Sequence, residues 1–300
     1  MKINRVLLNA AFIMSLFLAS NQFLYAQEQV FQVLALDGEV MFKKGEEWQA
    51  VELGQALLAS DVLKVEDNAY LGLVHTNGHT LALDKKGTYE AGHLASKIRQ
   101  NKLSVASKYA DLYVQNLKNG SAKANPAERA LEQKRVKVLL PNSVDVFNDE
   151  VILRWKNVAP VGEKYEVKLK NMFNEVLMVK EVEDTKAILN FNEDKISKER
   201  MIIVSVNSTE FKDQQSNDYG MKHLTAEEAA PIAQELKELK LEITDQQSAL
   251  DKLILASFYE QNNLLADALT NYEYAISLAP EVEAFQVAYD QFIFRNGLAN

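Results

Sequence analysis

Histidines and clustered carboxylates are the side chains of this sequence that could do acid–base or metal chemistry. None of the histidines stands beside a plausible nucleophile; they are His75, His79, His93 and His223. The carboxylate clusters fall in turn-like or strand-edge segments, where exposure to solvent is the ordinary arrangement; they are Glu46-Glu47, Glu163 and Glu181/Glu183/Asp184. We therefore expect no enzyme activity, no catalytic residue, no cofactor and no metal site.

The short motifs that carry known chemistry are missing from the sequence. It contains no Gly-x-Ser-x-Gly nucleophile elbow, no phosphate-binding loop and no Gly-x-Gly-x-x-Gly fingerprint. It also has no His-Glu-x-x-His pair and no calcium loop. A carboxylate pair of the retaining glycosidase type stays open as an alternative of low weight, because such a pair has no fixed spacing in sequence.

The motif Asn77-Gly78 between two β-type runs predicts a hairpin with a two-residue turn. That register pairs Thr76 with His79 and directs His75 and His79 to opposite faces of the ribbon. One metal ion would not reach both rings. We therefore interpret the two histidines as solvated polar residues near the hairpin tip.

Length and composition bound the class of protein. A chain of 300 residues suggests about two domains, and 47% hydrophobic with 25% charged residues is typical of a soluble globular protein. Cysteine is absent, which excludes a disulfide framework, a cysteine zinc site and a lipid anchor on cysteine. A formal net charge of −9 disfavours nucleic acid as a partner, since phosphate binding needs a basic face.

The N-terminus has the three-part pattern of a cleaved signal peptide over residues 1–26. Lys2 and Arg5 precede an apolar run from Val6 to Ala19, and Leu24-Tyr25-Ala26 ends in a small residue. The run is shorter than the roughly 20 residues that span a bilayer, so a retained anchor is the weaker alternative. We expect the mature chain to begin at Gln27 and to have no stable membrane span.

Short β-type runs separated by turn glycines fill the stretch from Val33 to Leu83 and predict five to seven strands from Val30 onward. Their order is Gly38-x-Val40, Trp48 before Gly54-x-x-Leu57, Asp61 before a hydrophobic run, and Gly78 before Leu81-x-Leu83. This order resembles the FecR-like domain of bacterial envelope proteins, although Ser60 stands where that family usually has glycine. The resemblance implies a small all-β roll over residues 27–97.

A helix and a tether are predicted to follow over residues 98–134. Apolar residues recur at helical spacing from about 100 to 118, and Gly120 ends the segment. Ser121 to Lys134 is small and polar and contains Pro126, with a short helix from Ala127 as one alternative. We expect limited proteolysis to cut first within residues 119–134.

Residues 135–222 show the alternation of half-buried strands. A strand ending in Trp155, a loop with Pro160 and Gly162, and Tyr165-x-Val-x-Leu resemble the fibronectin type III sandwich, which is Ig-like. Met201 stands where that family usually has its corner tyrosine, so the corresponding hydroxyl hydrogen bond is absent. We expect Trp155 to be a core residue rather than a ligand platform. The runs that fit later strands are Val176–Val182, Ala187–Phe191 and Met201–Val206.

Residues 223–300 are predicted to be helical. Thr225 and Glu228 have the spacing of a capping box, and one long helix is expected from Ala229 to Leu250. The spacing of six later residues resembles one tetratricopeptide repeat, or TPR. A further helix from Val282 to Phe294 would cap it. The six residues are Ala256, Tyr259, Ala268, Tyr272, Ala275 and Pro280.

These resemblances imply a multidomain α+β fold: a FecR-like roll, a fibronectin type III-like or Ig-like β-sandwich, and a C-terminal α-helical TPR-like hairpin. The function they imply by analogy is that of a non-enzymatic, exported envelope scaffold or adaptor that binds other envelope proteins. We expect it in the periplasm or associated with the outer membrane. The candidate protein-binding groove, on the face that TPR proteins usually present, consists of Leu253, Ser257, Glu260 and Gln261.

Two other functions remain open. The roll or the sandwich could bind a glycan such as peptidoglycan, for which Trp48 and Tyr70 are the candidate aromatic platform. A transmembrane signalling role like that of FecR regulators ranks last, since only about five residues precede the apolar run. Plain solvent exposure is an equally good interpretation of the four groove residues.

Overall fold

The computed structural model describes residues 29–98, 104–119, 136–156, 164–211, 214–243 and 248–298. These residues form a multidomain α+β fold with several mainly antiparallel sheets and a C-terminal region of four helices, which confirms the predicted fold class at this coarse level. The predicted signal peptide over residues 1–26 and the tether over residues 121–134 lie outside the described residues.

An N-terminal β module is built from two four-stranded sheets with the orders β4-β1-β6-β7 and β3-β2-β5-β8. Alternating apolar residues of these strands share one core around Phe31, Leu63 and Leu71. Seven strands lie between residues 29 and 83, as the turn spacing predicts, and an eighth follows. The strands are β1 Gln29–Asp37, β2 Val40–Lys44, β3 Glu47–Ala50, β4 Ala56–Leu58, β5 Val62–Val65, β6 Tyr70–His75, β7 Thr80–Leu83 and β8 Gly87–Glu90.

The predicted hairpin between β6 and β7 exists, but its predicted register is wrong by one residue. Val74 pairs with Thr80, and the His75 N–H donates to the His79 carbonyl, which leaves a three-residue loop instead of a two-residue turn. The last loop residue, Gly78, has φ +92°, a left-handed conformation that suits glycine in such loops. His75 and His79 are therefore directly opposite each other on one face of the ribbon.

A short helix, α1 (Ala91–Ser96), follows the N-terminal module, and α2 (Val105–Asn119) lies within the predicted helical segment. The apolar face of α2 contacts that module, where Val114 lies over Gly54. Its other face packs against C-terminal helices. There, Tyr109 lies edge-on to Phe258 at 5.1 Å. The helix thus joins the first module to the end of the chain.

The second β module is a sandwich of a five-stranded sheet, β10-β16-β15-β12-β13, and a three-stranded sheet, β14-β11-β9. Trp155 is 2% exposed and packs edge-on to Tyr165 at 5.4 Å, which confirms it as a core residue. The β10–β16 pair is parallel and the others are antiparallel. The strands are β9 Lys137–Val138, β10 Ser143–Val146, β11 Glu150–Lys156, β12 Tyr165–Lys170, β13 Val176–Val182, β14 Lys186–Asn190, β15 Met201–Ser208 and β16 Tyr219–His223.

Four helices close the chain, and the prediction of one long helix to Leu250 is wrong. The capping box at Thr225 and Glu228 starts the first of them, as predicted, but that helix ends at Glu242. Ser248 then caps a new helix by accepting a hydrogen bond from the Asp251 N–H. The helices are α3 Ala226–Glu242, α4 Ala249–Gln261, α5 Leu265–Leu278 and α6 Glu283–Arg295.

The α4–α5 pair is a helical hairpin whose predicted seam is buried. Small residues on both helices let the two backbones approach closely, and tyrosines fill the remaining space. The seam residues are each at most 2% exposed: Ala256, Tyr259, Ala268, Tyr272 and Ala275. The hairpin contacts the N-terminal module on one side and the sandwich on the other, and its residues share a continuous core with the sandwich.

Candidate functional site

The predicted protein-binding groove on α4 is not an open surface. Leu253 is fully buried and Ser257 is 2% exposed, because this face of α4 packs against its neighbours instead of facing solvent. Glu260 is mostly buried in an ion pair, and only Gln261 is exposed. Neighbouring elements therefore cover the predicted groove.

Glu260 belongs to a network that ties α4, α5 and α6 together. The Arg295 guanidinium donates two hydrogen bonds of 2.6 Å to the two Glu260 carboxylate oxygens, and a third to the Tyr272 hydroxyl at 3.0 Å. Asn296 Nδ2 also donates to Glu260, at 2.8 Å. Two-point pairing of this kind fixes geometry as well as charge. The role of Glu260 visible here is therefore to hold the helices in place.

The candidate aromatic platform for a glycan is not assembled. Trp48 lies on β3 and is 40% exposed, whereas Tyr70 lies on β6, in the other sheet of the N-terminal module. Tyr70 packs edge-on to Phe285 of α6, with ring centroids 5.7 Å apart. The Tyr70 ring therefore serves the contact between module and helix.

His75 is buried, contrary to the prediction that it is a solvated tip residue. It is 7% exposed, its ring packs edge-on to Phe31 at 5.2 Å, and its Nδ1 lies 2.7 Å from Asn77 Oδ1.

The described part of the chain contains no group of three or more His, Asp or Glu side chains placed to hold a metal ion. Within the same residues, no helix has both the length and the apolar character needed to cross a bilayer.

Asp267 of α5 is a buried carboxylate with a raised pKa. It accepts the backbone N–H groups of Phe147 and Asn148, both at 2.9 Å, and the Asn148 side-chain amide at 2.7 Å. Burial raises its pKa from 3.8 to about 6, and these hydrogen bonds act in the opposite direction. Such a pKa would suit a general acid or base. Asp267 is fully buried, however, so its carboxylate meets no substrate and instead holds the β10–β11 turn.

The β12–β13 turn is the most exposed apolar feature among the described residues. Phe173 is 84% exposed and Met172 is 67% exposed, and Val176 at the start of β13 is 56% exposed. Single exposed apolar residues are common on protein surfaces, but three large ones at a single tip are less so. We call Met172, Phe173 and Val176 the apolar tip.

Asn171 makes the apolar tip a well-defined structure. Its side-chain oxygen accepts the N–H groups of Phe173 and Glu175, both at 3.0 Å, and its amide donates to the Glu175 carboxylate at 2.7 Å. Asn174 adopts φ +67°, a conformation that asparagine tolerates well. Sequence reasoning missed this tip, although two asparagines flanking Met172-Phe173 are a recognisable turn signal.

Sequence comparison connects this arrangement to no known family. No protein-family model matches the chain, and no curated protein matches it either.

Proposed function

We propose that the chain is a non-enzymatic, exported bacterial envelope protein that acts as a scaffold or adaptor through protein–protein interaction. Its N-terminal module would be a FecR-like roll, its second module a fibronectin type III-like sandwich, and its α4–α5 hairpin a single TPR-like unit. The signal peptide over residues 1–26 would direct export to the periplasm or the outer membrane. The partner would be another envelope protein.

The observation that carries the proposal is the exposed and rigid apolar tip. A flexible loop pays an entropy cost when it binds, whereas the Asn171 hydrogen bonds have already ordered this turn. Full burial of a Phe or Met side chain contributes about 1.5–3 kcal/mol. Phe173 and Met172 together could thus supply a substantial part of the free energy of binding to an apolar pocket on a partner.

The internal contacts also favour a scaffold. Two carboxylates in buried or mostly buried positions, Asp267 and Glu260, are occupied by structural hydrogen bonds. We call the helices α2–α6 the helical layer. This layer bonds directly to the sandwich and to the N-terminal module, which would keep the apolar tip at a fixed place relative to both. A fixed relation between surfaces is what an adaptor requires.

Site-specific photo-crosslinking in the native host tests this function. A photoreactive phenylalanine analogue at position 173 of the full chain should trap one defined envelope protein. The same analogue at Val287, an exposed apolar position on α6 that is 44% exposed, is the matched control and should not trap that protein.

Competition then separates specific docking from incidental contact. Excess unlabelled wild-type chain should abolish the crosslink, and the Phe173→Ser chain should not. Serine at this exposed tip should change the free energy of unfolding by no more than about 0.5 kcal/mol, so lost competition would reflect the surface alone. Equal crosslinking from positions 173 and 287, or full competition by Phe173→Ser, would overturn the proposal.

A further inference from the structure

A polar cleft of about 370 Å³ lies on the outer face of the five-stranded sheet of the sandwich. It runs along β12 and β15 and is bordered by the segment 214–218. Its volume is near the lower end of the roughly 300–1,000 Å³ that is usual for small-molecule sites. Every lining residue is polar or charged: Lys168, Lys170, Ser205, Asn207, Gln215, Ser216 and Asp218.

Strand alternation places the two lysines in the cleft together. Val167 and Leu169 of β12 point into the sandwich core, so Lys168 and Lys170 share the outer face. In the β12–β15 register, Lys168 lies directly opposite Ser205, which brings an ammonium group and a hydroxyl group to the same part of the cleft. These positions follow from the backbone and do not depend on a mobile loop.

Lys170 has hydrogen-bonding capacity left for a ligand. Its Nζ lies 3.7 Å from the Asp218 carboxylate, close enough for attraction but too far for a hydrogen bond, and its side chain is only 18% exposed. Lys168 is already engaged, at 2.9 Å from Glu166. The cleft therefore offers one partly buried ammonium group, in a protein whose net charge is −9.

The neutral groups of the cleft are also available. Within the described part of the chain, the side chains of Ser205, Asn207 and Gln215 make no hydrogen bond with another protein group. Ser216 differs, since its hydroxyl accepts the Val206 N–H and donates to the Asn217 carbonyl. Ser205 is buried and Asn207 is half-buried, and polar groups in such positions normally find partners, so this mixture of donors and acceptors favours a ligand that is rich in both.

We propose that this cleft binds a small saccharide that carries a carboxylate. The carboxylate would pair with Lys170, and the sugar hydroxyls would exchange hydrogen bonds with Ser205, Asn207, Gln215 and Asp218. A simple inorganic anion would offer few donors to the amide oxygens of Asn207 and Gln215, and an apolar ligand would meet no apolar lining. This site is separate from the apolar tip and does not rest on the scaffold function.

Titration calorimetry with the full chain tests the ligand class by comparing two disaccharides that differ only in one carboxylate. The uronic acid form should bind at least about tenfold more tightly than the neutral form, because a hydrogen bond to a charged group is worth about that much. Lys170→Gln should remove this preference. Lys186→Gln, at an exposed lysine on β14 of the other sheet, should leave the affinity within about twofold.

Several results would overturn the proposal. Equal affinity for the acidic and neutral disaccharides would show that Lys170 does not select a carboxylate. Displacement of the acidic disaccharide by an equal concentration of inorganic phosphate would show a simple anion site. Lack of binding by either sugar would show that the cleft holds only water. Phe173→Ser should leave saccharide binding unchanged, so failure at the apolar tip and failure at the cleft are distinguishable.

Discussion

The two β modules contact the helical layer through different chemistry. The sandwich presents backbone N–H groups to helix side chains: Asp267 accepts those of Phe147 and Asn148, and Thr270 accepts that of Ile152 at 2.8 Å. Arg154 of β11 adds an ion pair of 3.0 Å with Glu273 on α5. The sandwich is therefore attached by directional bonds to otherwise unsatisfied main-chain groups.

The N-terminal module is attached chiefly by close approach at glycines. A Cβ placed on Gly72 would lie 2.5 Å from a methyl group of Leu250, and one on Gly54 would lie 2.3 Å from Val114. Polar additions are the Thr80 hydroxyl, which donates to Asp251 at 2.7 Å, and the Asp37 carboxylate, which accepts the Glu283 N–H at 2.8 Å. The contact therefore depends more on these glycines, which have no side chain, than on the direction of hydrogen bonds.

The difference predicts different sensitivities. A directional interface fails when one partner is removed, because buried donors are then left without acceptors. A close-packed interface fails when volume is added. The protein has two tryptophans, Trp48 in the N-terminal module and Trp155 in the sandwich, so spectroscopic signals can be assigned to each module.

Charge reversal at Glu260 tests the helical layer that both modules share. Glu260→Lys should cost about 3–5 kcal/mol, since it leaves Arg295 facing a second cation in a mostly buried site. Chemical denaturation followed by circular dichroism measures the loss. Gln261→Lys, one residue further and exposed, should change the free energy of unfolding by less than about 0.5 kcal/mol. A similar small change for both variants would mean that the Glu260–Arg295 pair does not hold the layer.

Removal of the Asp267 carboxylate should disturb the sandwich side alone. Asp267→Ala leaves the Phe147 and Asn148 N–H groups without acceptors and should cost about 2–4 kcal/mol. Hydrogen exchange should accelerate in the β10–β11 turn and stay unchanged in β6 and β7. Asp290→Ala, at an exposed position on α6, is the control. Faster exchange in both modules would remove the distinction between the two interfaces.

Added volume at Gly72 should disturb the N-terminal side alone. Leu250 is 1% exposed and cannot swing away freely, so Gly72→Ala should cost about 1–3 kcal/mol. Gly220→Ala, where the nearest atom would be 3.7 Å from the new Cβ, should be nearly neutral. In a Leu250→Ala background, the Gly72→Ala penalty should shrink, and additive costs would contradict the proposed clash.

Acid should weaken the small charged contact between the sandwich and α3. The Thr225 backbone hydrogen bond, together with Lys222, lowers the pKa of Glu228 from 4.5 to about 2. Its contribution to stability is complete above pH 4.5 and is lost as the pH falls toward 2. The difference in melting temperature between wild type and Glu228→Gln should therefore shrink in that window. The raised pKa of Asp267 has the opposite effect on stability between pH 6 and 4, and this effect is the same in wild type and in Glu228→Gln. The difference in melting temperature between wild type and Glu228→Gln therefore isolates the contribution of Glu228.

Local patterns in the sequence predicted local structure well. Alternation predicted β13 at Val176–Val182 with its observed bounds, and the position of Trp155 in the core followed from its place at the end of β11. The small-residue seam at Ala256 and Ala268 is buried as expected. In each case the signal lies in residues that are near one another in sequence, or in one face of one element.

The candidate site could not be predicted in the same way. Whether Ser257 faces solvent depends on which distant elements cover α4. The spacing of apolar residues within α4 does not show which elements those are. The hairpin register failed because Asn77-Gly78 favours a tight turn of either two or three residues. The assignments to FecR-like, fibronectin type III-like and TPR-like units remain proposals.

The contact between Asp37 and α6 has a consequence for how the chain is made. The Asp37 carboxylate accepts the Glu283 N–H, which joins residues 246 positions apart. At a synthesis rate of about 5–20 residues per second, the N-terminal module waits roughly 12–50 s before its helical cover emerges. During that interval the face around Tyr70, which packs on Phe285 of α6, stays uncovered. Nascent chains that stop before α6 should therefore be the most prone to aggregation and the most dependent on chaperones.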